Sequence, residues 1–571
     1  MKKYLALILG LCLTVGLGGC ASTPAEKTPE TQPESGNEQF DIVIVGAGGA
    51  GLAAAVEAHE QGADNILVLE KMSFAGGSTT MAFGGFNCTN SRFMDEQGKE
   101  ETPVMLVDKI VKNGAGFADV DMAGIIAMET PKVIEWLDGF GSEWGKIRYA
   151  DLHCPTDGTI PGVELVKVLK EQAEKNGIEI RYNSPAVDLI ADESGRVSGV
   201  QVKDANGEYT IDAQAVILAT GGFESNPEMI AKYDNPGLAH IHLAPSQGNM
   251  GDGIVMAEKL GAELRNMDLI QLSCAVAPFS IQMQLPIKNN GVVFINKEGK
   301  RFTNEYSEAS SDRRITEDIL KQTDAECFGV YNETIYQTFM AIEEKDFFDE
   351  YRMTGIDNSG TVIKADTLEE LAEKLGVDQE TFLATMNGLK TDNIGNEEVV
   401  KLADTYKSGP YYAVTLTPGV IDTLGGVLAD TTGRVINKEG KPIKGLYAAG
   451  EVIGNVQGAY YSVGLGEAVV FGRVSARNAI EYIKDRQGLT EHVPFDRDTP
   501  QENNAETAKG NFTDGTFTGE GQGNNGPIKV EVTVKDGSIT EIQVLEQAET
   551  PNIYAGWKNS SFRTDQNADP N

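Results

Sequence analysis

Residues 41–51 read Asp41-Ile-Val-Ile-Val-Gly-Ala-Gly-Gly-Ala-Gly51. The apolar run Asp41 to Val45 predicts a short strand buried on both faces. The G-x-G-x-x-G behind it predicts a tight turn into a helix, with Gly49 and Ala50 inside the motif. Gly46 suits the turn, Gly48 lets the backbone approach a pyrophosphate, and Gly51 lets the helix lie against the strand. Unpaired N–H groups at the helix N-terminus then favour an anion. Leu52 to His59 suit the helix, and Asn65 to Leu69 suit a second strand that ends at Glu70. That acid stands nineteen positions after Gly51, where a ribose hydroxyl wants an acceptor. A glycine fingerprint alone is a weak signal, but strand, turn, helix, strand and acid in this order predict dinucleotide binding.

The residues after Glu70 bear on which dinucleotide is bound. The run Glu70-Lys-Met-Ser-Phe-Ala-Gly-Gly-Ser-Thr79 and then Met81-Ala-Phe-Gly-Gly-Phe-Asn87 resembles the FAD-binding module of the fumarate reductase and succinate dehydrogenase flavoprotein family. A nicotinamide domain has no obvious use for a second glycine cluster so close to the ribose acid. The resemblance implies that Lys71, Gly76, Gly77, Ser78, Thr79, Gly84 and Gly85 meet FAD. Further signatures occur in the family's order. Ala186 and Val187 open a strand, and Ala215 to Gly222 is a buried strand ending at Thr220, Gly221 and Gly222. Gly251-Asp-Gly253 matches a motif whose Asp252 faces the ribityl chain, although a plain helix cap would also use an aspartate there. Gly445-Leu-Tyr-Ala-Ala-Gly-Glu451 supplies Gly450 and Glu451, and the glycine-rich stretch Gly454 to Phe471 supplies Ala468 and Val469. The helix starting there would stabilise negative charge on the reduced ring.

The implied fold is α/β: a Rossmann-like FAD-binding domain interrupted by an α+β capping domain, with a small, partial β-rich domain at the C-terminus. In residue ranges, 1–20 is a lipoprotein signal peptide and 21–39 a disordered tether. The FAD domain occupies 40–268 and 422–486, and the cap occupies 269–421. A polar linker covers 487–510, and 511–571 resemble part of an FMN-binding domain. A chain of 571 residues is long enough for about two to four domains. In the cap, Thr367 to Gly376 suits a helix, and closure over substrate would exclude water from hydride transfer.

The formal net charge of −37 excludes a nucleic-acid partner, which needs a basic face. Lys2-Lys3, an apolar run to Leu17 and then Gly18-Gly-Cys20 predict a secretion signal too short for a membrane span. Leu17-Gly-Gly-Cys20 resembles a bacterial lipobox. It implies a lipid on Cys20 and an extracytoplasmic enzyme held at the bacterial cell membrane. Cys88, Cys154, Cys274 and Cys327 remain, with no C-x-x-C among them, so no haem, iron–sulfur or other metal site is expected. Electrons are expected from an extracytoplasmic flavin or quinone-linked donor.

Near the C-terminus Ile528-Lys-Val-Glu-Val-Thr-Val534 alternates as a half-buried strand, Lys535 to Ser538 turns it, and Ile542 to Leu545 returns. FMN is therefore possible here. The Ser-Gly-Ala-Thr motif that carries covalent FMN in the resembled domain is absent, and Thr564 comes after Ser560-Ser-Phe-Arg.

The catalytic residues of the resembled fumarate reductases do not carry over. The arginine of Asn-Glu-x-x-x-Arg corresponds to Ala309, with Arg313 and Arg314 a few residues later. The histidine of His-Thr-Met-Gly-Gly corresponds to Asp422. Leu285 and Lys288 replace a Glu and an Arg of the proton relay, and the arginine after Ala-Asn is lost within Ala459-Tyr-Tyr-Ser-Val-Gly464. Asp422 would repel a dicarboxylate. The loss of several charged hydrogen bonds, about 1.5–3 kcal/mol each, would abolish fumarate binding. Tyr460 and Tyr461 resemble the steroid-dehydrogenase branch, where a tyrosine hydroxyl acts as acid, although packing in a lid is an equal reading of the pair. The candidate catalytic set is Tyr461, Tyr460, Arg313 and Asp422, while Arg301 reads as a structural brace.

Three functions remain open at this level. The first is an FAD-dependent reductase of an activated alkene other than fumarate, a small-molecule electron acceptor. The second is an FAD-dependent dehydrogenase of a ketone-bearing or steroid-like substrate. The third is an electron-transfer flavin lipoprotein, against which the full capping domain argues.

Overall fold

The computed structural model describes residues 38–82, 84–148, 151–234, 246–276, 281–282, 291–305, 312–340, 360–460, 463–490, 515–522, 527–535 and 538–547. The signal peptide, most of the proposed tether, Leu285, Lys288, Ala309, Tyr461 and Thr564 lie outside them. Among the described residues no helix is long and apolar enough to cross a membrane, and no group of His, Cys, Asp or Glu could hold a metal ion.

The central sheet is built from β1 (Glu38–Val45), β2 (Ile66–Leu69), β3 (Glu179–Arg181), β4 (Ala186–Ala191), β5 (Val197–Asp204), β6 (Gly207–Leu218), β7 (Arg434–Ile436) and β8 (Pro442–Ala448). Its main order is β7-β8-β6-β1-β2-β3, and β8, β6, β1, β2 and β3 run parallel. β2, the C-terminal part of β1 and the last four residues of β6 are buried apolar runs, as burial on both faces requires. β5 joins β6 antiparallel, and β4 pairs with β5.

Helix α1 (Gly49–Glu60) is apolar nearly all round and buried through Ala58, as a helix enclosed by other elements should be. A helix from the far end of the domain packs against it. A β-carbon on Gly472 of that helix would sit 2.5 Å from the Ala50 carbonyl oxygen and 3.0 Å from the Ala53 β-carbon, so glycine sets their close approach. β1 begins at Glu38, inside the stretch read as tether, with Glu38 and Gln39 opposite Ile211 and Asp212. At the other end Thr490, read as linker, donates from its backbone N–H and its hydroxyl to the buried Asp41 carboxylate. Packing thus extends the ordered core a few residues past both composition-based limits.

A second, antiparallel sheet is built from the stretch of chain between the two sequence portions of the first. Its order is Ile281–Gln282, Ile270–Val276, Tyr411–Thr423, Cys327–Asn332 and Val293–Ile295, with Ile363–Ala365 also on the long strand. It has its own apolar core. Arg301 is a brace there, paired with Glu305 at 2.6 Å and Asp392 at 2.7 Å, and it donates to the Gly395 carbonyl at 2.8 Å. The expected helix in this region runs Leu368–Leu375, capped by the Thr367 hydroxyl and closed by Gly376 in the left-handed conformation. Gly515–Gln522, Pro527–Lys535 and Ser538–Gln547 form a three-stranded antiparallel sheet.

Candidate active site

The glycine turn after β1 does what its spacing requires. Gly46 has φ +108°, and a β-carbon there would overlap the Ala219 carbonyl. A β-carbon on Gly51 would overlap the Gly46 carbonyl, whereas one on Gly48 would meet nothing closer than the Gly76 oxygen at 3.7 Å. The backbone at Gly48 is therefore open. The first turn of α1 carries no side-chain cap and no acid, so its N–H dipoles favour an anion. Only Gly49 N–H is engaged from the side, by the Thr79 hydroxyl at 3.0 Å.

Glu70 sits at the end of β2 with its carboxylate fixed by the Ala47 N–H at 2.8 Å and the Met72 N–H at 2.7 Å. Burial raises its pKa and these hydrogen bonds oppose that rise. Each oxygen keeps a lone pair for a ribose hydroxyl.

These residues open onto a cavity of about 740 Å³, within the range of a cofactor site. Its walls include Gly46, Gly48, Gly49, Ala50, Glu70 and Lys71. They continue through Gly77, Ser78, Thr79, Gly84, Gly85 and Ala186, then Thr220, Gly221 and Asp252, and end at Asp422, Gly450, Glu451 and Ala468. The tertiary fold thus brings the separated signatures together. Lys71 Nζ and Asp252 Oδ2 form an ion pair at 2.5 Å, and Asp252 stands inside the first turn of helix Asp252–Lys259, whose cap is Gly251. Asp252 is therefore not the cap residue.

Some expected residues act differently. Gly51, Gly76 and Gly222 shape the walls without lining them. Val187 is 37% exposed because alternate residues of β4 face opposite sides, and Ala186 takes the cavity side. Val469, one step round its helix from Ala468, is buried in the core. Arg313 is not among the lining residues. Its guanidinium is held by Asp234 at 2.8 Å, Glu317 at 3.0 Å and the Ile270 carbonyl at 3.0 Å, which removes the geometry a proton donor would need. Tyr460 is half-buried and not among the cavity residues, and Tyr461 lies outside the described residues.

The far end of the cavity is formed by the end of the long strand Tyr411–Thr423, the turn after β8 and the start of helix Gly464–Arg486, which has no side-chain cap. Here the sequence reading missed several groups. Lys109 and Asn113 reach the wall from helix Pro103–Gly114, and Gln271, Gln457, Asn249 and Glu467 also contribute. Lys109 pairs with the buried Asp151 at 2.9 Å. Burial pushes the Glu467 carboxyl up to about 8, opposed by a 2.6 Å hydrogen bond from Gln457. Asp422 is raised well above the usual carboxylate range by burial and then by the Glu451 charge. An i, i+4 pair such as Lys109 and Asn113 was legible as one helix face, but its direction was not.

A glycine cradle at a bare helix terminus, a ribose acid and a second bare helix terminus across one long cavity define a flavin-dependent oxidoreductase. Thr220 contributes a buried hydroxyl oxygen with no protein partner, and the donor set suits FAD. Comparison with known proteins agrees. Residues 41–466 match the family described as FAD binding domain, and residues 523–571 match the one described as FMN-binding domain. The chain is 30% identical over 462 residues to the cytochrome-type fumarate reductase of Shewanella frigidimarina, covering 78% of each chain. It is 33% identical over 484 residues to the urocanate reductase of Eggerthella lenta, covering 80% of this chain and 77% of that one. The open conformation of a flavocytochrome c3 fumarate reductase superposes with TM-score 0.71 at 28% identity, over 78% of this chain and 79% of that one. The 3-ketosteroid-Δ4-(5α)-dehydrogenase of Rhodococcus jostii superposes with TM-score 0.58 at 25% identity, over 78% and 98%. The chain belongs to the FAD-binding family of the fumarate reductase flavoproteins, and it is an FAD-dependent oxidoreductase acting on CH–CH bonds.

Proposed function

We propose that this protein is a lipid-anchored, extracytoplasmic reductase of an activated alkene other than fumarate. The observation that carries the reading is the charge of the cavity. Among its described lining residues the side-chain cations are Lys71 and Lys109, each already paired with a carboxylate, while Glu70, Asp252, Asp422, Glu451 and Glu467 contribute carboxyl groups. A dicarboxylate would enter without a free cation to receive it, at a cost that charged hydrogen bonds elsewhere would have to offset. A neutral acceptor, or one presenting a donor or positive group to Asp422, suits these walls better.

Bound FAD supplies the hydride, delivered to one carbon of the double bond. Glu70 and the start of α1 would hold the adenosine and pyrophosphate, and the bare N-terminus of Gly464–Arg486 would favour negative charge at the far end. Asp422 would orient the substrate, and a tyrosine of the Tyr460-Tyr461 pair would donate the proton. Electrons would come from a flavin or quinone-linked donor outside the cytoplasm.

The test is reoxidation of the dithionite-reduced, FAD-loaded protein by a panel of alkenes and enones that includes fumarate. Turnover of a neutral or cationic acceptor with negligible fumarate activity is expected. Robust fumarate turnover would overturn the substrate reading. The steroid dehydrogenase neighbour and the adjacent tyrosines favour a second reading, oxidation of a ketone-bearing substrate, which the enone arm of the panel separates.

A further inference from the structure

Just past the glycines that end β6, Glu224 is 4% exposed, and its Oε2 has no hydrogen-bond donor. Its Oε1 accepts from the Asn249 amide and, at 3.2 Å, from the Ser78 hydroxyl. The same Asn249 amide reaches Glu451 Oε2 at 3.3 Å. The other Glu451 oxygen accepts the Thr423 N–H at 3.1 Å. The free oxygen of Glu224 and Oε1 of Glu451 converge on one point. A β-carbon on Gly222 would lie 2.9 Å from the first and 2.5 Å from the second. The two carboxyl groups also share the Asn249 amide, so they stand as neighbours in one site.

Among the described residues the groups facing the pair offer no positive charge. Asp422 comes from the long strand and Glu467 from the N-terminus of Gly464–Arg486, both carboxyls. Ser78, Asn249 and Thr423 are neutral. Two carboxylates so placed cannot both ionise. The donors favour the proton on Glu224: the Thr423 N–H fixes Glu451 Oε1 as an acceptor, whereas no donor meets Glu224 Oε2.

We propose that Glu224 and Glu451 form one acid–base unit that stores a proton on Glu224 Oε2 in the oxidised enzyme and binds a second proton when the flavin is reduced. With a flavin bound and reduced by the external donor, one proton from solvent would form an O–H bond on the pair, turning an acid and a carboxylate into two neutral acids. When the electrons leave with the hydride, that O–H bond breaks, and its proton replaces the one consumed at the second carbon of the alkene. Glu451 lines the cavity, whereas Glu224 acts through it as a positioning residue. The inference rests on the flavin reading of the cavity and is independent of which alkene is reduced.

The experiment is spectroelectrochemical titration of the FAD-loaded full chain, wild type against Glu451→Gln, which removes the carboxylate that takes the second proton, across the neutral pH range. One proton per two electrons adds about 30 mV to the potential for each pH unit. The wild type should therefore show a pH slope steeper than the variant by about that amount at equal FAD occupancy. Equal slopes would overturn the proposal. Infrared difference spectra of the wild type provide a check that needs no variant. A protonated carboxyl band should gain intensity on reduction, and the lack of that gain would also overturn the proposal, even if Glu451→Gln lost its flavin.

Discussion

At Gly51 a β-carbon would fall on the Gly46 carbonyl oxygen, so the contact between α1 and its preceding turn depends on one missing methyl group. Overpacking of this kind costs about 1–3 kcal/mol, and here it would spread the turn that receives the pyrophosphate. Gly51→Ala should bind FAD roughly ten- to a hundredfold more weakly, read as flavin absorbance per mole of purified protein during dialysis. Unchanged retention would mean that the turn relaxes without cost. At the catalytic end, Tyr461→Phe should keep its FAD and its reduction by dithionite while losing roughly 10²–10⁴-fold in turnover of the alkene identified by the panel. An unaffected variant would return Tyr461 to a packing role.

Between elements, the firmest junction is that of α1 with Gly464–Arg486. Glu57, 2% exposed in the middle of an apolar helix, meets Arg473 at 2.6 Å and Arg477 at 3.2 Å. Removing one partner of a buried pair strands the other charge. Glu57→Ala should lower stability by about 3 kcal/mol, the low end of the usual range because Arg477 is partly exposed. Chemical denaturation would show it as a reduced midpoint with an unchanged slope. A loss below about 0.5 kcal/mol would class the junction with surface ion pairs. The opposite case is Arg313, which its own surroundings have already neutralised. Its pairs with Asp234 and Glu317 join the segment before the second sheet to helix Asp312–Leu320.

For the whole molecule, the buried acids make stability depend on pH in one direction. Glu467 has its folded pKa near 8 against an ordinary 4.5, so the folded state holds a proton that the unfolded chain has released. Its stabilising contribution is complete below the unfolded value and is lost as pH rises through the folded one. At about 1.4 kcal/mol per unit, the loss is about 5 kcal/mol in full. Burial pushes Glu224 and Asp422 the same way. Thermal unfolding of the purified protein should show a melting temperature that falls between about pH 5 and pH 9, and Glu467→Gln should flatten part of the fall. A parallel decline in both proteins would exclude Glu467 as a cause.

The order Asp41 to Glu70 determined the parallel sheet and the dinucleotide cradle, because burial on two faces, a turn with positive φ and a close helix approach each restrict the residue locally. The later glycine signatures were legible for the same reason. Which way Lys109, Gln271, Asn249 and Glu467 face was decided only by the fold, since spacing fixes which residues share a face but not what lies opposite it. Arg313 shows the converse, a cation whose availability depends on Asp234, 79 positions away. Glu224 is the furthest from anything readable in sequence. An acid after two glycines is unremarkable until the chain returns at Glu451, more than two hundred residues later. Only then, with no cation among the described groups that face them, must the two carboxyls share a proton.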